Sequence, residues 1–316
     1  LDLMVHIGEI SAASFNDTIP AKEVWRVSED GELRDPFKKL TTVFQMSEEM
    51  FFLHYGKDGC NRHVLIDECR ELFGEIYEQI PELPFCNIWT AMQLSSRLPK
   101  GALFHMGVSN TRRCWNMFQL PESVESACNV GCCGIDGCVS TLVGASLVNP
   151  DRLCYVVVGD LTFFYDLNSL GNHHIGTNLR VMLVNNGRGT EFRLGIHHCN
   201  VFGDDADKYM AAAGHFGNKS PLLVKHYAED LGFHYLSATT KEEFMTALSN
   251  FTNPQLSDHS MILEVFTDSK DESEALYLMS HIQSDAKGMV RSKLKDAVRN
   301  VAGEKGINAI KKILKK

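Results

Sequence analysis

Leu153-Cys154-Tyr155-Val156-Val157-Val158-Gly159-Asp160-Leu161-Thr162 and, further on, Leu179-Arg180-Val181-Met182-Leu183-Val184-Asn185-Asn186-Gly187 are the stretches that decide the fold. Each is a short apolar run that ends in a small polar cluster. They read as two parallel strands, and the stretch between them as a crossover helix. Ala102 to Met106, Phe233 to Leu236 and Met261 to Val265 are further strands, alternating with helical patterns such as Glu242 to Leu248. Alternation of this kind predicts an α/β fold, a Rossmann-like parallel sheet flanked by helices. Asp160 and Asn186 then stand at the carboxyl ends of two parallel strands, where open α/β sheets bind their ligands. A carboxylate and a carboxamide suit a hard cation such as Mg²⁺, which keeps few protein ligands and takes the rest from phosphates. That points to a cofactor carrying a diphosphate. A strand-end aspartate followed by a turn-forming Asn-Asn-Gly would give the same pattern with no metal.

Three other segments bear on the choice. Cys128-Asn129-Val130-Gly131-Cys132-Cys133-Gly134-Ile135-Asp136-Gly137 precedes a small-residue helix over Val139 to Leu147. Its glycines permit a sharp turn and close backbone approach to a ligand. Phe104-His105-Met106-Gly107-Val108-Ser109-Asn110 reads as strand, loop and helix start, with Ser109 or Asn110 as the cap and free N–H groups available to a diphosphate. Gly189-Thr190-Glu191-Phe192 follows the asparagines and is expected at the mouth of the site.

Taken together these segments resemble the thiamine-diphosphate (ThDP) enzymes, and among them the menaquinone-pathway carboligases. The likeness covers most of the chain and is strongest from about Ala102 to Leu194. It implies that Asp160, Asn186 and the backbone carbonyl of Arg188 hold Mg²⁺. It implies a cofactor cradle of Ser109, Asn110, Gly134, Ile135, Gly159, Asp160, Leu161, Thr162 and Asn186. Ile135 would prop the cofactor into its bent, self-activating shape. Phe192 looks like a substrate wall, and Arg113 matches an arginine that grips a substrate carboxylate. One departure stands out: where the menaquinone enzymes carry a second arginine, this chain has Val130. The implied activity is decarboxylation of a small 2-oxo acid and transfer of the acyl group to an acceptor. Release of an aldehyde is the near alternative, and a relic, non-catalytic scaffold the more distant one. A nucleotide-binding Rossmann module is disfavoured because no Gly-x-Gly-x-x-Gly follows the first strand of either part.

The 316 residues allow two domains. Residues 1 to 80 resemble the later part of a central Rossmann-like domain, 85 to 270 the diphosphate- and metal-binding domain, and 271 to 316 form a basic helical tail. Residues 285 to 316 hold ten Lys or Arg against three Asp or Glu, leaving a net −16 on the rest of a −9 chain. That tail reads as docking on the acidic body; a membrane-surface or nucleic-acid contact is the sharper alternative. The ThDP family also needs a domain that holds the aminopyrimidine and supplies an activating glutamate. The expectation is that it lies in a longer polypeptide or a partner subunit, so no catalytic residue is assigned here, and Glu9 is read as structural. The intact enzyme is expected to be a cytoplasmic homodimer or homotetramer, with no nucleic-acid partner and no membrane span. Ten scattered cysteines argue for buried thiols over disulfides or zinc. Of the 13 histidines, His173-His174 are placed in the crossover helix and His197-His198 in the lid, where one could move protons.

Overall fold

The computed structural model describes residues 1–8, 21–56, 64–130, 134–195, 197–210 and 220–282. Glu9, the Gly131 to Cys133 part of the glycine-rich loop and the basic tail from residue 283 onward lie outside the described residues. The chain divides into two units, Leu1–Glu75 and Ile76–Lys316. In the first, β1 (Leu3–Ile7), β2 (Glu23–Ser28) and β3 (Leu40–Gln45) form a parallel three-stranded sheet in that order. Helix α1 (Glu48–Tyr55) follows, capped by Ser47, whose hydroxyl accepts from the amide of Met50 at 3.3 Å. Next comes α2 (Val64–Glu78).

The second unit is built on six parallel strands. In chain order its elements begin with α3 (Asn87–Ser95), β4 (Leu103–Met106), α4 (Asn110–Trp115) and β5 (Glu125–Cys128). Then come α5 (Cys138–Val148), β6 (Cys154–Gly159), α6 (Asp160–Tyr165) and β7 (Leu179–Asn185). The series closes with α7 (Ala206–Tyr209), α8 (Leu223–Asp230), β8 (His234–Ala238), α9 (Lys241–Phe251), β9 (Met261–Phe266) and α10 (Ser269–Ser280). The sheet order is β5-β4-β6-β7-β9-β8. The chain runs outward from β4 to β5, then returns to the other side of β4 with β6. That reversal opens a crevice at the carboxyl ends of β4 and β6.

Burial explains why these runs are strands. Side chains alternate between the two sheet faces. On β6 and β7, Tyr155, Val157, Met182 and Val184 pack on one side with Trp89, Phe104 and Phe244. Cys154, Val156, Val158, Val181 and Leu183 pack on the other with Val139, Leu142 and Phe163. A sheet covered on both faces needs apolar residues at consecutive positions, the pattern both runs show. No described helix is long and apolar enough to cross a membrane.

The connection from β6 to β7 differs from the single crossover helix expected. It is the short α6, then a 3-10 segment, Leu167–Gly171. Asp166 leaves the helix to accept from the Ser140 amide at 2.6 Å. Gly171 and Asn172 then stop regular structure, and Asn172 Oδ1 accepts from the His174 amide at 3.0 Å, a local Asx turn. His173 and His174 therefore sit in a turn, their rings 3.8 Å apart, not on a helix.

One buried acid ties α10 to α3. Glu272 is 1% exposed. Its Oε1 accepts from the Asn87 amide at 2.9 Å and from the Thr267 hydroxyl at 2.8 Å, while its buried Oε2 has no hydrogen-bond partner. Burial pushes this carboxyl from the usual 4.5 up to about 7, against the lowering effect of those two bonds. Folding thus favours the neutral acid. That contribution is full below pH 4.5 and is lost as pH rises through about 7. At roughly 1.4 kcal/mol per unit the window is worth on the order of 3 kcal/mol. Relative to Glu272→Gln, the wild-type chain should lose stability between pH 5 and 8, read from urea midpoints at both pH values. Parallel pH dependence of the two proteins would refute this account of Glu272.

Candidate functional site

A cavity of about 420 Å³ opens at the carboxyl ends of β4, β6 and β7. Its walls include Ser109, Asn110, Gly134, Ile135, Gly159, Asp160, Leu161, Thr162, Asn186, Arg188 and Phe192, which the sequence had singled out from five separate segments. A larger hollow of about 530 Å³, lined in part by Lys100, Glu125 and Arg152, lies at the opposite ends of β4 and β6. Its arginine is already engaged, donating to the Gly101 carbonyl at 2.9 Å and to Glu125 at 2.8 Å. The carboxyl-end cavity is the one placed where parallel sheets bind ligands.

Parallel pairing brings the two oxygen donors together. Gly159 is paired with Val184, so Asp160 and Asn186 follow directly from adjacent strand ends. Asp160 is 3% exposed and opens α6; its Oδ1 accepts from the Leu161 amide at 2.7 Å. The two asparagines divide the work. Asn185 donates to Glu264 Oε1 at 2.7 Å, and its own Oδ1 accepts from the Gly187 amide at 3.2 Å. That fixes the turn, with Gly187 at φ +79, a conformation that favours glycine. Asn186 is left lining the cavity with a buried Oδ1 that has no hydrogen-bond partner. A buried carboxamide oxygen without a donor is costly and calls for an explanation. An electropositive ligand in the cavity supplies one. The Arg188 carbonyl accepts from the Thr190 amide at 2.9 Å in a tight turn and keeps a second lone pair. Among the described residues no three His, Cys, Asp or Glu side chains form a ready-made metal cluster. The donors fit a hard cation that draws its remaining ligands from a phosphate-bearing group.

The other walls are set by close packing. Gly107 donates to the Val157 carbonyl at 2.7 Å, and a Cβ there would lie 3.3 Å from that oxygen. Pressed onto β6, the chain turns through Ser109 at φ 60, ψ −122. This is an unusual backbone for a non-glycine residue. Ser109 occupies the cap position of α4, yet its side chain makes no capping bond, contrary to the expected role. In the glycine-rich segment, Asn129 Nδ2 donates to the Gly137 carbonyl at 3.3 Å and to Thr141 Oγ1 at 3.1 Å, which anchors the described part around Ile135. Phe192 stands in a 3-10 turn, Thr190–Arg193, edge-on to His197 at 5.2 Å. His197 Nδ1 accepts from the Cys199 amide at 3.1 Å, a capping role. Val130 lies just beyond β5, its amide donating to the Cys128 carbonyl at 2.9 Å in a tight turn. No disulfide joins the described cysteines.

Arg113 is the predicted site residue that the cavity does not display in open form. Its Nη1 and Nη2 donate to Glu191 Oε2 and Oε1, both at 2.8 Å. Sequence reasoning placed Glu191 only at the mouth and did not foresee this pair. It also missed Asn87, which lines the cavity, and Glu264, whose carboxylate links Asn185 to the Tyr235 hydroxyl at 2.7 Å. The first is set by a residue 185 positions away, and neither belongs to a recognisable motif.

No protein-family model matches the chain. Several similar curated proteins carry one name. The 2-succinyl-5-enolpyruvyl-6-hydroxy-3-cyclohexene-1-carboxylate synthase of Bacteroides fragilis is 33% identical over 263 residues, 81% of this chain and 45% of its own length. The synthase of the same name from Phocaeicola vulgatus is 32% identical over 265 residues, again 81% of this chain. That of Christiangramia forsetii is 33% identical over 199 residues, 63% of this chain. The chain thus spans less than half the length of these relatives. Over four-fifths of its own length it is a homologue of the 2-succinyl-5-enolpyruvyl-6-hydroxy-3-cyclohexene-1-carboxylate synthases, the ThDP enzymes that its Gly-Asp and Asn-Asn-Gly segments resemble.

Proposed function

We propose that the cavity at the ends of β4, β6 and β7 binds the diphosphate of ThDP with its Mg²⁺, and that the chain is the cofactor-binding half of a 2-oxo acid decarboxylase and carboligase. The observation that carries this reading is the pairing of a buried Asp160 carboxylate with an Asn186 carboxamide oxygen left unpaired in the same cavity. Asp160, Asn186 and the Arg188 carbonyl are the metal ligands. Backbone and side-chain donors of Ser109, Asn110, Gly134, Gly159 and Thr162 receive the phosphate oxygens, and Leu161, its amide engaged by Asp160, lines the cradle beside them. Ile135 supports the cofactor ring system, and Phe192 forms an apolar wall against the substrate. When bound, ThDP supplies the electron sink for loss of CO₂ from a 2-oxo acid. The protein's part is to hold, orient and shield the reacting groups. The similarity to C–C bond-forming synthases favours transfer to an acceptor over release of an aldehyde.

Two outcomes test this. Titration calorimetry of the chain with ThDP should show binding that depends on Mg²⁺. Asp160→Ala should weaken it by about tenfold or more, since a charge-assisted contact is worth roughly 1.5–3 kcal/mol and a decade costs about 1.4. Asn186→Ala should act in the same direction with the smaller effect of a neutral ligand. Metal-independent binding, unchanged in Asp160→Ala, would sink the assignment.

Substrate choice gives the second test. Val130 cannot supply the paired hydrogen bonds of an arginine. The intact enzyme should therefore use 2-oxoglutarate with isochorismate less efficiently than pyruvate with an aldehyde acceptor. Efficient formation of the menaquinone intermediate would show that another residue replaces the lost cation.

A further inference from the structure

The 3-10 turn that follows β7 carries a carboxylate into an arginine's fork. Glu191 lines the cavity, and both of its oxygens accept from Arg113 on α4, each at 2.8 Å. The two side chains are 31% and 21% exposed, at the edge of the cavity and not out in solvent. Two parallel N–H···O bonds to one carboxylate are the arrangement by which a guanidinium would bind an acidic ligand. Here the protein's own side chain makes them. The pair is held from both ends. Thr190 and Phe192 are pinned by bonds to Arg188 and Gly189, and Arg113 Nη1 also reaches Asn110 Oδ1 at 3.5 Å. Among the described residues that line the cavity, Arg188 is then the one cation.

We infer that Glu191 is a specificity-determining residue: by filling the fork of Arg113 it makes this wall of the cavity neutral and turns away a carboxylate that would otherwise bind there. The inference rests on the proposed reading of the cavity as the cofactor and substrate site. It states the class of substrate group that fits against α4, an uncharged one. A ligand carboxylate arriving there must displace a tethered carboxylate of equal charge and geometry, and until it does it faces like charge. Specificity then comes from a built-in competitor as much as from attraction. The contact with Glu191 raises the Arg113 pKa, so the guanidinium stays charged.

The test compares succinate with its uncharged diamide, succinamide, as probes, titrated by NMR into the whole chain. In wild type succinate should bind weakly, because the fork is already occupied, and Arg113→Met should bind it no more tightly. Glu191→Ala should bind succinate about tenfold tighter or more, with succinamide unchanged. The gain should vanish in Glu191→Ala/Arg113→Met. Glu191→Gln keeps the side-chain volume, should move in the same direction as Glu191→Ala, and guards against a packing artefact. If wild type binds succinate through Arg113, or if freeing Arg113 brings no gain, the inference falls. The Mg²⁺-dependent ThDP titration is a separate reading. Its failure would remove the proposed function while the succinate series still reports on Glu191.

Discussion

Everything at the site depends on the register between β6 and β7. Gly159 is paired with Val184, and both strands leave the sheet together. Side chains alternate with a period of two, so a slip of one residue would exchange the faces of an entire strand. Such a slip would turn Val156 and Val158 out of one core and Tyr155 and Val157 out of the other. Two packed faces therefore lock the register far more strongly than any polar contact at the strand ends could. The positions of Asp160 and Asn186 follow from apolar packing some distance from where their chemistry is displayed.

The paired asparagines show how little the site itself contributes to that order. Asn185 is absorbed into the scaffold through Glu264 and the Gly187 turn. Glu264 is in turn held by Tyr235 from β8. Burial raises its carboxyl pKa, and the bonds from Tyr235 and Asn185 work against that rise. One asparagine thus spends its hydrogen bonds on position. The other keeps its acceptor for the cavity. A substitution at Asn185 would act on Asn186 through the turn, although Asn185 does not line the cavity.

The apolar runs and glycine punctuation made the sheet legible, because strand burial and turn chemistry are local signals. The resemblance to the ThDP enzymes brought the cavity-lining residues of five segments into view. The crossover was misread since a short helix, a glycine and an Asx turn share the polarity of one longer helix; Asn172 decides between them only through a bond to its own backbone neighbour. Ser109 carried a cap signature, but the close approach of Gly107 to β6 sets its backbone instead. Contacts across long separations were invisible. Arg113 and Glu191 are 78 positions apart, and nothing in either segment marks them as each other's counter-ion.

The buried and half-buried acids around the site meet the cost of leaving water in different ways. Glu264 is satisfied by donors on both oxygens. Glu191 is satisfied by an arginine fork. Glu272 is satisfied on one oxygen and shifted toward its neutral form. Each answer settles the carboxyl, which then makes no call of its own on a ligand. Glu272 Oε2 is not alone in lacking a hydrogen-bond partner. Arg180 Nε lies at the amino-terminal end of β7, far from any chemistry, so such an atom is not by itself a mark of function. Asn186 Oδ1 and Thr190 Oγ1 share one cavity wall with Asp160, and there the unmet hydrogen-bonding capacity converges on a single volume. Convergence distinguishes the two cases: an isolated unsatisfied atom is a local cost of packing, whereas several aimed at one space describe the polarity of what fills it.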